Sequence, residues 1–139
     1  MENDPHSDEQ IIQILSYKNV AVIGMSKNES KAAHYVPKYL SENGFEITPV
    51  NPTTDEILGK KCFSNISEIN TSIDIVDIFR PSDEVLPFVK DAIKIKPKVI
   101  WLQLGIHNSE AEKLALDAGI DVVFNKCMLA EHQRLVNND

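Results

Sequence analysis

The chain reads as a single α/β domain: a doubly wound, five-stranded parallel sheet with helices on both faces. Three observations predict it. Five short apolar runs recur along the 139 residues. Each of them alternates with a segment of helical spacing, the pattern of parallel strands joined by crossover helices. The first run, "NVAVI", is continuously apolar, as in a strand buried on both faces. The expected strand order is 3-2-1-4-5, with a ligand crevice at the carboxyl ends of strands 1 and 4.

The elements follow in order. Residues 1–17 form a polar tail and a short helix, with apolar residues at 11, 12, 14 and 15, and the domain proper spans 18–136. Strand 1 covers Asn19 to Ile23. Proline belongs in a first helical turn, so Pro37 predicts that the next helix starts near 33–36, leaving an unusually long loop over 24–32. "FEITPV" is strand 2, stopped by "NP". Residues 55–69 read as irregular, with a turn at Gly59 and a helical turn near 65–69. "SIDIVDIF" is strand 3, and the helix after it has Ser82 as N-cap and a kink at Pro87. "KVIWLQLG" is strand 4. Its helix opens with a capping box of Ser109 and Glu112 and ends at Gly119. "DVVFN" is strand 5, and "MLAEHQRLV" closes the domain.

Composition excludes several classes. Hydrophobic residues make up 42% and charged residues 25%, and no apolar run reaches the roughly 18 residues of a membrane span. The polar start "MENDPHSDEQ" is no signal peptide, so a cytoplasmic location is expected. A net charge of -7 without a basic run argues against a nucleic-acid groove. Cys62 and Cys127 form no CxxC pair, and His107 and His132 have no ligand spacing, so no metal is expected.

Candidate site residues stand at the strand ends. Strand 1 is followed by Gly24, Met25, Ser26 and Lys27, with Lys31 further on, and strand 2 by Asn51 and Pro52. Strand 3 ends in Phe79 and Arg80, strand 4 in Gln103 and Gly105, strand 5 in Asn125, Lys126 and Cys127. One of only two arginines thus stands at a strand end in an acidic chain, with lysines after strands 1 and 5. Such an edge suits a compact anion, helped by backbone N–H groups of the Gly24 loop and the following helix. Plainer readings compete. Lys27 and Lys31 could be solvated surface lysines, and Arg80 could pair with Asp83 or Glu84. Asp77, costly to bury unpaired, reads as a structural carboxylate holding a neighbouring loop. Trp101 and Phe79 could stack on a base, but strand aromatics are more often core.

The anion is not obviously a dinucleotide. A nicotinamide site needs two further glycines, where Ser26 and Glu29 stand, and an acid after strand 2, where "VNP" has none before Asp55. A P-loop needs a Gly-Lys pair that is absent. A phospho-receiver domain needs an acidic pair where Gly24 and Met25 stand.

Several stretches taken together, "VAVIGMS", "VPKYLSENGFEITPVNP", "EILGKKCF", "IDIVDIFRPSDEV", "VIWLQLGIHNSEA" and "AGIDVVFNKCMLAEHQRL", resemble the small stand-alone CoA-binding proteins. That family is similar to the CoA-binding domain of succinyl-CoA synthetase alpha subunits. The resemblance covers 18–136 and departs at Met25, where the family often has alanine. It implies a Rossmann-like domain with coenzyme A, or an acyl-CoA, across the strand ends. Ser26, Lys27 and Lys31 would then lie near the pyrophosphate. Asn51, Pro52, Phe79 and Arg80 would flank the adenosine and its phosphate. Gln103, Gly105, Asn125, Lys126 and Cys127 would line the path of the pantetheine arm. The expected function is a non-catalytic binding or regulatory module. The alternative is an enzyme: a nucleotide-dependent oxidoreductase, or a thioester-processing activity using Cys127 or His132. A protein partner or homo-oligomer stays open.

Overall fold

In the computed structural model, which describes residues 3–137, the five apolar runs form one parallel sheet. Residues 1 and 2 of the expected tail lie outside the described residues. The elements run α1 (Asp8–Ile14), β1 (Asn19–Ile23), α2 (Ala32–Glu42), β2 (Glu46–Val50), β3 (Glu56–Ile57), β4 (Lys60–Lys61), β5 (Ile75–Ile78), α3 (Val85–Lys94), β6 (Val99–Leu102), α4 (Ser109–Asp117), β7 (Asp121–Val123) and α5 (Met128–Leu135).

Alternate residues of each strand feed two separate cores, as the two-residue period of a strand requires. Val20, Val22, Ile75, Val99 and Trp101 face α1, α2 and α5, where Ile11, Val36, Leu40 and Met128 pack on them. Ala21, Ile23, Val76, Ile78, Ile100 and Leu102 face α3 and α4 through Val85, Val89, Ala92, Ala111 and Ala115.

The strand order differs from the expected 3-2-1-4-5. It is β2-β1-β5-β6-β7, which is 2-1-3-4-5 when the five main strands are counted along the chain. The third strand pairs with β1 (Val20 opposite Ile75), not outside β2. Proline gives the physical reason, because it is confined to edge strands. The Pro49 carbonyl accepts from Phe63 N at 3.0 Å on the outer side of β2. Its ring nitrogen faces the same way, so the β1–β2 ladder loses nothing. The topological switch, and with it the crevice, therefore falls between β1 and β5 rather than strands 1 and 4.

Four local expectations shift. Helix α2 starts at Ala32, so Pro37 lies inside it and not in its first turn. Helix α3 starts at Val85, so Pro87 is in the first turn, where its missing N–H needs no partner, and Ser82 caps nothing there. The α4 cap is Asn108, not Ser109. Its side chain accepts from Ala111 N, while Glu112 Oε2 accepts from Asn108 N at 2.7 Å. Residues 56–61, read as irregular, form an antiparallel hairpin whose central residues Leu58 and Gly59 both have positive φ, as a type I′ turn requires.

Candidate functional site

A cleft of about 510 Å³ opens at the carboxyl ends of β1, β2 and β5, within the range of small-molecule sites. Eight of the fourteen expected residues line it: Gly24, Met25, Ser26, Lys31, Asn51, Pro52, Phe79 and Arg80. Lys27 lies on an adjoining shallow depression with Pro52 and Thr53.

The loop after β1 explains why one glycine suffices. Gly24 has φ +81°, and a Cβ there would stand 2.5 Å from the Phe79 carbonyl oxygen and 3.1 Å from Arg80 Cδ. The glycine thus lets the end of β5 cross close over the loop. Met25 carries no side chain to the cleft, being fully buried in the core. Pro37 shapes the next residue. A helix normally bonds the N–H of residue 37 to the carbonyl of residue 33, and proline has no N–H to give. The freed Ala33 carbonyl accepts from Ser26 N instead, at 3.1 Å. Buried His34 adds a second tie, its Nδ1 lying 2.8 Å from the Ser26 carbonyl oxygen. Lys31 precedes α2 with no side-chain cap at the helix start, and Lys31 and Ala33 line the cleft, so the positive end of that helix borders it.

Asn51 is an organiser of the rim. Its Nδ2 donates to the Met25 carbonyl at 2.8 Å, and its Oδ1 accepts from Thr53 N and Oγ1 at 2.8 and 2.6 Å. No acid stands at the end of β2 to hold a ribose diol. Cys62 lies beneath, with Sγ donating to the Asn51 carbonyl at 3.5 Å and its thiol pKa pushed up by burial.

Arg80 supplies the fixed charge. Its Nη2 donates to Glu84 Oε1 at 2.8 Å, so the expected alternative pairing is realised. The guanidinium carbon stands 5.8 Å from the Phe88 ring centre. Nε, however, is buried and has no partner. An unpaired buried donor in a cleft marks a place where an acceptor is missing.

The remaining expected residues gather elsewhere. Gln103 is buried, its Nε2 donating to Asp77 Oδ1 and its Oε1 accepting from Met128 N at 3.3 Å, so it ties β5 to the start of α5. Asp77 is fully buried, and burial pushes its pKa up to about 7, the Gln103 hydrogen bond working against the shift. Its Oδ2 is unpartnered, so the carboxylate is only half satisfied. Asn125 Oδ1 accepts from Gly105 N at 2.8 Å. The Lys126 carbonyl accepts from the buried Trp101 indole at 2.8 Å, and its ammonium lies 3.7 Å from Glu131 Oε1. Cys127 is half-buried against the core on the α5 face. Buried His132 has Nδ1 2.8 Å from the Tyr39 hydroxyl, and desolvation and the nearby Lys18 charge lower its pKa. None of these lines the cleft.

Thr53, Ser64, Asn65, Ile66, Phe88 and Asp91 line it without having been singled out. Asn65 and Glu68 form a capping box around a short 3₁₀ turn, a signal present in "SNISE". Phe88 and Asp91 reach the cleft from α3, and nothing in their local sequence marks them. Among the described residues no group of three His, Cys, Asp or Glu side chains could hold a metal, and no helix is long and apolar enough to cross a membrane.

A 2-1-3-4-5 parallel sheet flanked by helices, with a cleft at its switch point, is a Rossmann-like α/β domain. The chain belongs to the CoA binding domain family, whose model matches residues 18–133. It is 36% identical over 115 residues to the uncharacterized protein YneT of Bacillus subtilis (strain 168), covering 83% of this chain and 85% of that one. A hypothetical protein from Pyrococcus horikoshii OT3 superposes with a TM-score of 0.93 at 40% identity, covering 98% and 99% of the two chains. The chain is also 38% identical over 72 residues to the acetate–CoA ligase (ADP-forming) of Methanocaldococcus jannaschii, which covers 51% of this chain but only 10% of that enzyme.

Proposed function

We propose that this protein binds coenzyme A, or an acyl-CoA, in the cleft at the ends of β1, β2 and β5, as a cytoplasmic binding or regulatory module without catalysis of its own. The observation that carries the reading is Arg80, which lines the cleft and keeps its guanidinium Nε buried and without a partner. A phosphate oxygen is the acceptor that such a donor fits best. Lys31 and the uncapped start of α2 add positive potential beside it. Membership of the CoA binding domain family supports the choice of ligand. Cys127 and His132, the side chains a thioester-processing enzyme would use, stand outside the cleft, which favours binding over turnover. Native mass spectrometry of freshly purified protein tests the reading. The expected result is an adduct of CoA mass, retained or restored on adding CoA. Bare protein at saturating CoA refutes it.

A further inference from the structure

Arg80 is engaged on one edge of its guanidinium, and only in part. Nη2 donates to Glu84 Oε1 at 2.8 Å, while Nε, its neighbour on the same edge, is buried and without a partner. A single carboxylate oxygen on Nη2 leaves that donor unmet, at a cost in stability. A phosphate approaching side-on takes both hydrogens of this edge at once, the paired geometry for which guanidinium is built. Its seat includes the atom that Glu84 already holds.

We infer that Glu84 is a built-in competitor of the ligand: its carboxylate occupies Arg80 in the free protein and must yield when a phosphate takes the Nε–Nη2 edge. The inference rests on the CoA reading for the identity of the probe. The arm of Arg80 is held where its Cδ passes over Gly24 and its guanidinium over Phe88, but Nε is buried in the free protein, so the Nε–Nη2 edge opens only when the side chains covering it shift. What moves is Glu84, which lies in the short 3₁₀ turn 82–84 before α3. The pair is easily opened, because its two side chains are 39% and 48% exposed. Exposed ion pairs contribute little, and the upper end of their range corresponds to about fivefold in affinity. Asp83, the neighbour of Glu84 in the chain and also exposed to solvent, makes no ion pair with Arg80 among the described residues, and so separates local competition from general charge.

Calorimetric titration of CoA into wild type, Glu84→Gln, Asp83→Asn, Arg80→Ala and the Arg80→Ala/Glu84→Gln double variant tests the inference. Glu84→Gln should tighten binding roughly two- to fivefold. Asp83→Asn should change it by less than half as much, and Glu84→Gln should gain nothing once Arg80 is gone. Equal gains from the two acidic variants, or a Glu84→Gln gain that survives in Arg80→Ala, overturn the competition. A wild type that binds CoA and loses affinity in Arg80→Ala, with Glu84→Gln neutral, overturns the competition while leaving the CoA reading intact. A wild type that ignores CoA overturns both.

Discussion

Arg80 concentrates the charge chemistry of the cleft, and its removal should show at once in affinity. A charge-assisted contact to phosphate is worth about 1.5 to 3 kcal/mol, so Arg80→Ala should weaken CoA binding roughly 10- to 100-fold by calorimetry while leaving the melting temperature nearly unchanged. A fall in melting temperature at constant affinity would reduce Arg80 to a partner of Glu84. Gly24 makes the opposite prediction. With φ at +81° and the Phe79 carbonyl in the way, Gly24→Ala should cost at least ~1–2 kcal/mol in chemical denaturation. Asp77 predicts a pH dependence. Its pKa rises from the unperturbed 3.8 to about 7 on folding. Its contribution is therefore full below pH 3.8 and lost as pH rises through about 7, with a slope of up to ~1.4 kcal/mol per pH unit. Asp77→Asn should flatten that slope, and an unchanged profile would contradict the assignment. Arg80 was legible in the sequence because it follows an apolar strand directly. Gln103, expected along the path of the ligand, is buried and does not line the cleft, as the period-two rule allows: it shares a face with Trp101, which is core.

At the scale of elements, the Gly24 loop is held by what α2 lacks. Pro37 frees the Ala33 carbonyl, and Ser26 N takes it. Pro37→Ala restores a competing donor, so amide exchange at Ser26 should accelerate while the helix holds or gains stability. Unchanged protection at Ser26 would show that the loop is fixed by His34 alone. The sequence marked Pro37 as decisive but misplaced the helix start, because helix limits depend on a partner eleven residues upstream of the proline. The N-terminal segment makes a second element-scale prediction. His6 lies between Asp4, at 2.7 Å from Nδ1, and Asp121, at 2.9 Å from Nε2, and Arg134 grips Asp8 at 3.0 Å. Burial would lower the His6 pKa, but the hydrogen bonds and charges of Asp121 and Asp4 prevail and raise it. Its stabilisation is therefore full below about pH 6.5 and lost as pH rises through the higher folded-state value. Hydrogen exchange of residues 4–14, corrected for intrinsic rate, should increase between pH 6 and 8 in wild type, and His6→Gln should abolish that dependence. A pH-independent wild type would contradict it.

At the scale of the molecule, the five strands of the main sheet were readable as apolar runs, with ends misplaced by up to three residues, but their order was not. Pairing is non-local, and the alternation of strand and helix fits several doubly wound orders equally. The local clue was Pro49, which a strand paired on both edges would not tolerate. The order in turn decides the site. It moves the switch point to β1 and β5, gathers Gly24, Ser26, Lys31, Asn51 and Arg80 around one cleft, and leaves Gly105, Asn125, Lys126 and Cys127 outside it. The same cleft predicts a ranking of ligands. With no acid at the end of β2, CoA should bind tighter than dephospho-CoA, and dephospho-CoA tighter than NAD; calorimetry placing NAD level with CoA would contradict it. Ligand and location are tested together by titrating CoA into isotope-labelled protein and following backbone amide shifts. The account predicts saturable shifts concentrated at residues 24–31, 51–53, 64–66 and 79–80, with the pH-sensitive N-terminal segment undisturbed. No shifts at saturating CoA, or shifts confined to residues away from the ends of β1, β2 and β5, would contradict it.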